Sequence, residues 1–183
     1  SRTILASSIT QRPSIKTVKI KGRSAGSTEK AAQWIRDRFE DLDVQVVDSE
    51  QEAIEGSDIL IAGTSTSPDG PQAFPYFKRE WLKPGALVLC PAAARFDDDF
   101  IKSYERLLGI PGNRWWDMVE EGTLPKEKLH NIGAIAAGKA PGRENNEQIF
   151  FYSIGGMPVE DVSWATEVYE NALEKGIGTK LNL

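Results

Sequence analysis

Two short apolar runs, Ile59-Leu60-Ile61-Ala62 and Ala86-Leu87-Val88-Leu89-Cys90, constrain the fold of this chain more than any other feature. Unbroken apolar character over so few residues marks strands covered on both faces, as the strands of a parallel sheet are. Two further stretches read as strands. Thr17-Val18-Lys19-Ile20-Lys21 alternates in polarity and stops at Gly22, and Val44-Gln45-Val46-Val47 follows a helical segment. That segment is capped by Ser27, with Glu29 in its first turn, and carries Ala32, Ile35, Phe39 and Leu42 at helical spacing. Ser1–Ile9 reads as a short helix ending before Pro13, and Gln51–Ile54 as a brief one. Parallel strands need crossovers between them, so this rhythm predicts an open α/β sheet.

Beyond the second apolar run the rhythm changes. Residues 97–139 read as mainly helical, Ile149-Phe150-Phe151-Tyr152 as a strand, and a long helix is expected from about Val159 to Gly176. Its Val162, Ala165, Tyr169 and Ala172 fall on one stripe.

Hydrophobic residues make up 40% and charged residues 27%, the balance of a globular protein. There is no membrane-length apolar run and no signal-peptide pattern. The net charge of −5 argues against nucleic-acid and membrane partners. Cys90 is the single cysteine, which excludes an internal disulfide and points to a reducing, cytoplasmic setting. The charge is uneven: residues 1–28 hold Arg2, Arg12, Lys16, Lys19, Lys21 and Arg23 with no acid, either a solvated basic face or a local anion site.

In open α/β sheets ligands bind beyond the carboxyl ends of the strands, so the residues just after each strand carry the chemistry. After the first strand come Gly22, Arg23 and Ser24. An acid there would bond the ribose hydroxyls of NAD, whereas an arginine and a hydroxyl suit the 2′-phosphate of NADP. After Ile59–Ala62 comes Gly63-Thr64-Ser65-Thr66-Ser67, small and hydroxylated. After Ala86–Cys90 comes Pro91-Ala92-Ala93-Ala94. Other candidates are weaker. Asp97, Asp98 and Asp99 lack partner ligands at metal-binding spacing and read as a helix cap, so no metal site is expected. His130, the only histidine, has no nucleophile signature near it. Trp115-Trp116 reads as packing or interface before ligand site.

The segments "VKIKGRS", "AIEGSDILIAGTSTS", "EWLKPGALVL" and "PGRENNEQIFFYSIGGMPVEDVSWATEVYENALEKGIG" together resemble the ornithine cyclodeaminase/mu-crystallin family over nearly the whole chain. The last is the most specific, and within the family the likeness is closest to members associated with tyramine oxidase. The resemblance implies a Rossmann-type doubly wound parallel sheet whose C-terminal segment returns to a substrate and dimerisation domain. It divides the chain into a dinucleotide-binding part, 1–147, and a closing strand and helix, 148–183. It places Gly22, Arg23 and Ser24 at the adenosine ribose, Thr64, Ser65 and Thr66 along the cofactor, and Ser153 and Gly155 near the nicotinamide ring.

Two departures qualify it. The family's glycine-rich phosphate loop and the strand before it have no counterpart, because Ser1–Ile9 reads as the helix that follows them. The chain also opens on serine rather than methionine. Polypeptide corresponding to the family's N-terminal half is therefore expected, either upstream or as an associated chain. The aspartate that cyclodeaminases carry beyond the strand equivalent to Ala86–Cys90 is replaced by Ala94, and Asp97 lies too far along to substitute. No catalytic residue can be assigned. The implied function is an NADP-dependent oxidoreductase (NAD less suited) acting on an imine, keto acid or amine-derived carbonyl, as a homodimer. The rival is a non-catalytic NADP and small-ligand binder, or an accessory component of an amine oxidase.

Overall fold

The computed structural model describes residues 2–64, 70, 73–91, 94–96, 106–109, 114–153, 158–179 and 181. Its order begins α1 (Arg2–Gln11), β1 (Thr17–Ile20), α2 (Ala25–Arg36), β2 (Asp43–Val46), α3 (Glu50–Ile54) and β3 (Ile59–Ile61). It continues through β4 (Tyr76–Phe77), β5 (Leu87–Cys90), β6 (Arg95–Phe96), β7 (Arg106–Gly109), α4 (Arg114–Glu120) and β8 (Leu129–Asn131). It closes with α5 (Ile132–Ala136), β9 (Phe150–Ser153) and α6 (Pro158–Glu174). This is an α/β fold in which every strand pairing among the described residues is parallel.

The main sheet has five strands in the order β3-β5-β9-β7-β8, while β1 and β2 form a separate pair, as do β4 and β6. Register is set by burial on both faces. Val88 of β5, Leu107 of β7 and Phe151 of β9 are all within 1% of complete burial. Phe151 is the hub. Phe96 meets it edge-on at 5.3 Å between ring centroids, and Trp115 of α4 does so at 5.6 Å. A smaller core of Ile9, Val18, Ala32, Ile35 and Val44 joins α1 and α2 to the β1–β2 pair.

Two expectations are corrected here. The stretch 97–139 contains the strands β7 and β8, not helix alone. Arg106-Leu107-Leu108-Gly109 is too short to show a period, and all four residues are buried, so its strand character comes from pairing with β9 and β8. Helix α2 begins at Ala25 with Ser24 as its N-cap, three residues ahead of Ser27. The expected boundary at 147/148 falls just before β9, which lies between β5 and β7 in the main sheet. Asp97–Asp99, read from the sequence as a helix cap, lie outside the described residues, and no described helix is long and apolar enough to cross a membrane.

The family-like segment 141–148 is bonded beneath the sheet at the amino ends of the strands. Arg106, the first residue of β7, is 6% exposed. It donates to Pro141 O at 3.1 Å and pairs with Glu144. Gln148 in turn donates to Glu144 and accepts from its backbone N–H at 2.9 Å. Arg143 donates to Gln148 O and stacks over Phe150 at 4.6 Å. Hydrogen bonds from Arg106 and then Gln148 hold the Glu144 carboxyl below its usual range. Burial, then the Arg106 charge, lowers the His130 imidazole. Both groups thus bind protons more weakly when folded, so their stabilisation is complete above their unfolded values and is lost as pH falls through the folded ones.

Two outcomes are expected in denaturant titrations. Glu144→Ala should lower stability at pH 7, by less than the loss of a fully buried ion pair would, because Glu144 is half exposed. Stability of the parent should decline from roughly pH 6.5 downward, first through His130 and then through Glu144. His130→Gln should remove the upper part of that decline.

Candidate functional site

A cavity of about 1090 Å³ separates the β1–β2 pair from the main sheet. One wall is Lys16–Lys21 of β1 and its flanks, and the other is Asp58–Ala62 around β3. Gly22, Arg23 and Ser24, just past the carboxyl end of β1, line it together with Gly63 and Thr64, just past β3. Four of the sequence-predicted residues, Gly22, Arg23, Ser24 and Thr64, therefore meet at one rim. Ser153 does not join them. It ends β9 level with Cys90 of β5, two strands from β3, at the same carboxyl edge but outside the cavity wall. Ser65, Thr66 and Gly155 lie outside the described residues.

The turn from β1 into α2 is built for close approach. A Cβ on Gly22 would stand 2.2 Å from the Thr28 hydroxyl. Thr28 is 5% exposed and fixed by its hydroxyl's bond to Ser24 O at 2.8 Å. Ser24 makes no side-chain cap bond to the helix. Its hydroxyl instead meets that of Ser27 at 2.6 Å, and Ser27 lines the same cavity. The positive end of the α2 dipole thus faces a rim with an exposed guanidinium, two hydroxyls and no carboxylate before Glu29. That donor set fits a phosphate monoester on a ribose.

The basic N-terminal residues divide by role. Lys19 Nζ donates to Glu52 O at 3.0 Å and Glu55 O at 2.9 Å, tying β1 to the last turn of α3. Lys21 Nζ turns back to Gly22 O at 3.2 Å. Arg23 is the basic residue placed at the rim. Ala94, where a proton-exchanging acid was sought, packs partly buried against the larger core. Sequence reasoning missed Thr28 as the residue that makes glycine necessary at position 22. It also read Ser27 as a cap, when its hydroxyl sits at the rim. A glycine closing a strand with a hydroxyl one helical turn further on was the available signal.

The family model for the ornithine cyclodeaminase/mu-crystallin family matches residues 1–176. The chain is 28% identical over 163 residues to N-((2S)-2-amino-2-carboxyethyl)-L-glutamate dehydrogenase of Staphylococcus aureus, covering 82% of this chain and 45% of that protein. It is 31% identical over 170 residues to ketimine reductase mu-crystallin of Macropus fuliginosus, covering 86% and 48%. The solved archaeal alanine dehydrogenase dimer with bound NAD superposes with a TM-score of 0.72 at 27% identity, over 93% of this chain and 53% of that one. The chain spans about half the length of the curated relatives it matches.

Gly22→Ala should destabilise the protein by about 1–3 kcal/mol through overpacking. Thr28→Ala in the same chain should recover part of that loss, because it removes the clashing hydroxyl. Denaturation of the two single variants and the double variant would measure the coupling, and additive losses would show that Gly22 is not held by Thr28.

Proposed function

The chain belongs to the ornithine cyclodeaminase/mu-crystallin family, and from that membership we propose that it forms the nucleotide-binding part of an NADP(H)-dependent oxidoreductase acting on an imine, keto acid or amine-derived carbonyl. One observation carries this reading. Gly22, Arg23, Ser24 and Thr64 converge on a single cavity rim at the carboxyl ends of β1 and β3, and no carboxylate follows β1. A bound nicotinamide would supply the hydride chemistry. The chain's own residues bind and orient it. Arg23 and the hydroxyls of Ser24 and Ser27 hold the 2′-phosphate, and Gly22 lets the ribose approach the backbone. Thr64 borders the cofactor and Ser153 lies toward the nicotinamide end, and the family resemblance would assign Ser65 and Thr66 to the first role and Gly155 to the second.

The dehydrogenase and ketimine reductase named among the relatives support redox chemistry at carbon–nitrogen centres. NAD bound to the alanine dehydrogenase supports a nicotinamide cofactor, and its dimeric state supports a homodimer here. The preference for NADP rests on this chain's own Arg23. The substrate pocket and the rest of the dinucleotide site belong to further polypeptide, the counterpart of the relatives' other half. Within the family we place the chain with the members associated with tyramine oxidase. A second reading, binding of NADP and a small ligand without turnover, is favoured by one feature. Ala94 offers no proton donor beyond β5.

The protein should bind NADPH more tightly than NADH, and Arg23→Ala should remove about 1.5–3 kcal/mol from NADPH binding alone, roughly 10–100-fold in Kd. Fluorescence titration of both cofactors measures this, and equal affinities in the parent would overturn the assignment. Ammonia release from ornithine should stay at background with either cofactor, since general acid–base catalysis worth about 10²–10⁴ in rate has no group at Ala94. Robust turnover to proline would place the acid elsewhere.

A further inference from the structure

We infer that the buried Thr28 is a positioning residue that fixes which way the hydroxyls of Ser24 and Ser27 direct their protons. It thereby makes the rim offer a phosphate monoester a hydrogen-bond donor rather than a lone pair. Only the identity of that anion rests on the cofactor reading above, since the order of the protons follows from the geometry of the turn.

Three donors converge on Ser24 O. The Thr28 N–H reaches it at 3.0 Å, the Thr28 hydroxyl at 2.8 Å and the Ser27 hydroxyl at 3.1 Å. A carbonyl oxygen has two lone pairs, and Thr28 fills both. Ser27 has one hydroxyl proton to give, and its other neighbour is Ser24 Oγ at 2.6 Å. Hydroxyl donors lie about 2.5–3.0 Å from an oxygen acceptor, a range that includes the Ser24 hydroxyl and leaves out the Ser24 carbonyl. The Ser27 proton therefore goes to Ser24 Oγ. Ser24 makes no side-chain cap bond to α2, and its hydroxyl has no further partner among the described residues. Its own proton is thus directed into the cavity that both serines line.

Without the Thr28 hydroxyl the order reverses. One lone pair of Ser24 O opens, Ser27 turns its proton to it, and Ser24 donates to Ser27 Oγ in turn. The lone pairs of Ser24 then face the cavity. A phosphate dianion presents acceptor oxygens, so it is attracted by the first arrangement and repelled by the second. A ribose 2′-hydroxyl both donates and accepts, so either arrangement suits it. Thr28 therefore acts on the choice between the two ligands, through Ser24 and without adding charge, separately from Arg23. Gly22 belongs to the same device. The Thr28 hydroxyl bonds back one helical turn, as threonines in helices do, and a Cβ on residue 22 would stand 2.2 Å from it. Glycine there leaves the hydroxyl free to reach Ser24 O.

Neutron diffraction from crystals of the deuterated protein, together with titration of NADPH and NADH, tests this. The deuterium of Ser27 should point to Ser24 Oγ in the parent and to Ser24 O in Thr28→Val. Thr28→Val should raise the Kd for NADPH about tenfold, the effect of one hydrogen bond to a charged group, and leave that for NADH within about twofold. Thr28→Ser keeps the hydroxyl and should restore the parent's preference. A Ser27 deuterium pointing to Ser24 O in the parent would overturn the inference. So would a preference for NADPH that Thr28→Val leaves unchanged. An equal loss for both cofactors would make Thr28 a packing residue and overturn it too. A parent that binds NADPH no better than NADH, with its deuterium in the expected place, would uphold the proton order and sink the cofactor assignment instead.

Discussion

Parallel pairing is the constraint on which the rest depends. Every pairing among the described strands runs the same way, from β1–β2 to β7–β8. Strands aligned in one direction deliver their carboxyl ends to one edge and their amino ends to the other, so the chain acquires two chemically different rims. At the carboxyl rim the residues are small, hydroxylated or basic: Gly22, Arg23, Ser24, Gly63, Thr64 and Ser153. At the amino rim a buried arginine, a glutamate, a glutamine and a run of backbone carbonyls are bonded to one another. One edge is left available for a ligand, and the other is closed on itself.

That asymmetry separates specificity from stability along the same sequence. The 141–148 stretch, where the segment most like the family begins, is tied beneath the sheet by Arg106, Arg143 and Gln148. Gly85 shows how closely it packs. With a φ of +78°, a Cβ there would stand 2.3 Å from Asn146 O. The Gly22–Ser24 turn has its own closeness, but its side chains point their polarity outward to the cavity. Change at the amino rim is expected to appear as lost stability, and change at the exposed carboxyl-rim side chains of Arg23 and Ser24 as altered ligand preference.

The sheet strands β1, β2, β3, β5 and β9 were legible in the sequence because their alternation or apolar runs are bounded by Gly, Asp or Ser. Strands β7 and β8 were not, since four buried residues and three residues carry no readable period and owe their form to neighbours distant in sequence. At the site, Gly22, Arg23, Ser24 and Thr64 were legible from their positions after strands. The meeting of these residues across one cavity was not, because it depends on how far β1 stands from β3. Helix α6 was legible from its period. Its apolar side chains Val162, Val168, Tyr169 and Leu173 are each more than 60% exposed in the structure, a face that sequence alone would assign to a packed interior.

We propose that the carboxyl rim between β1 and β3 holds an NADP-type nucleotide, and this assignment ties the rest together. A crystal structure of the protein soaked with NADP+ is its most direct test. The expected result is phosphate density bonded to the Arg23 guanidinium and the Ser24 hydroxyl, with the dinucleotide running past Thr64. Density elsewhere, at the amino rim beside Arg106 and Glu144 or away from Gly22–Ser24, would contradict it.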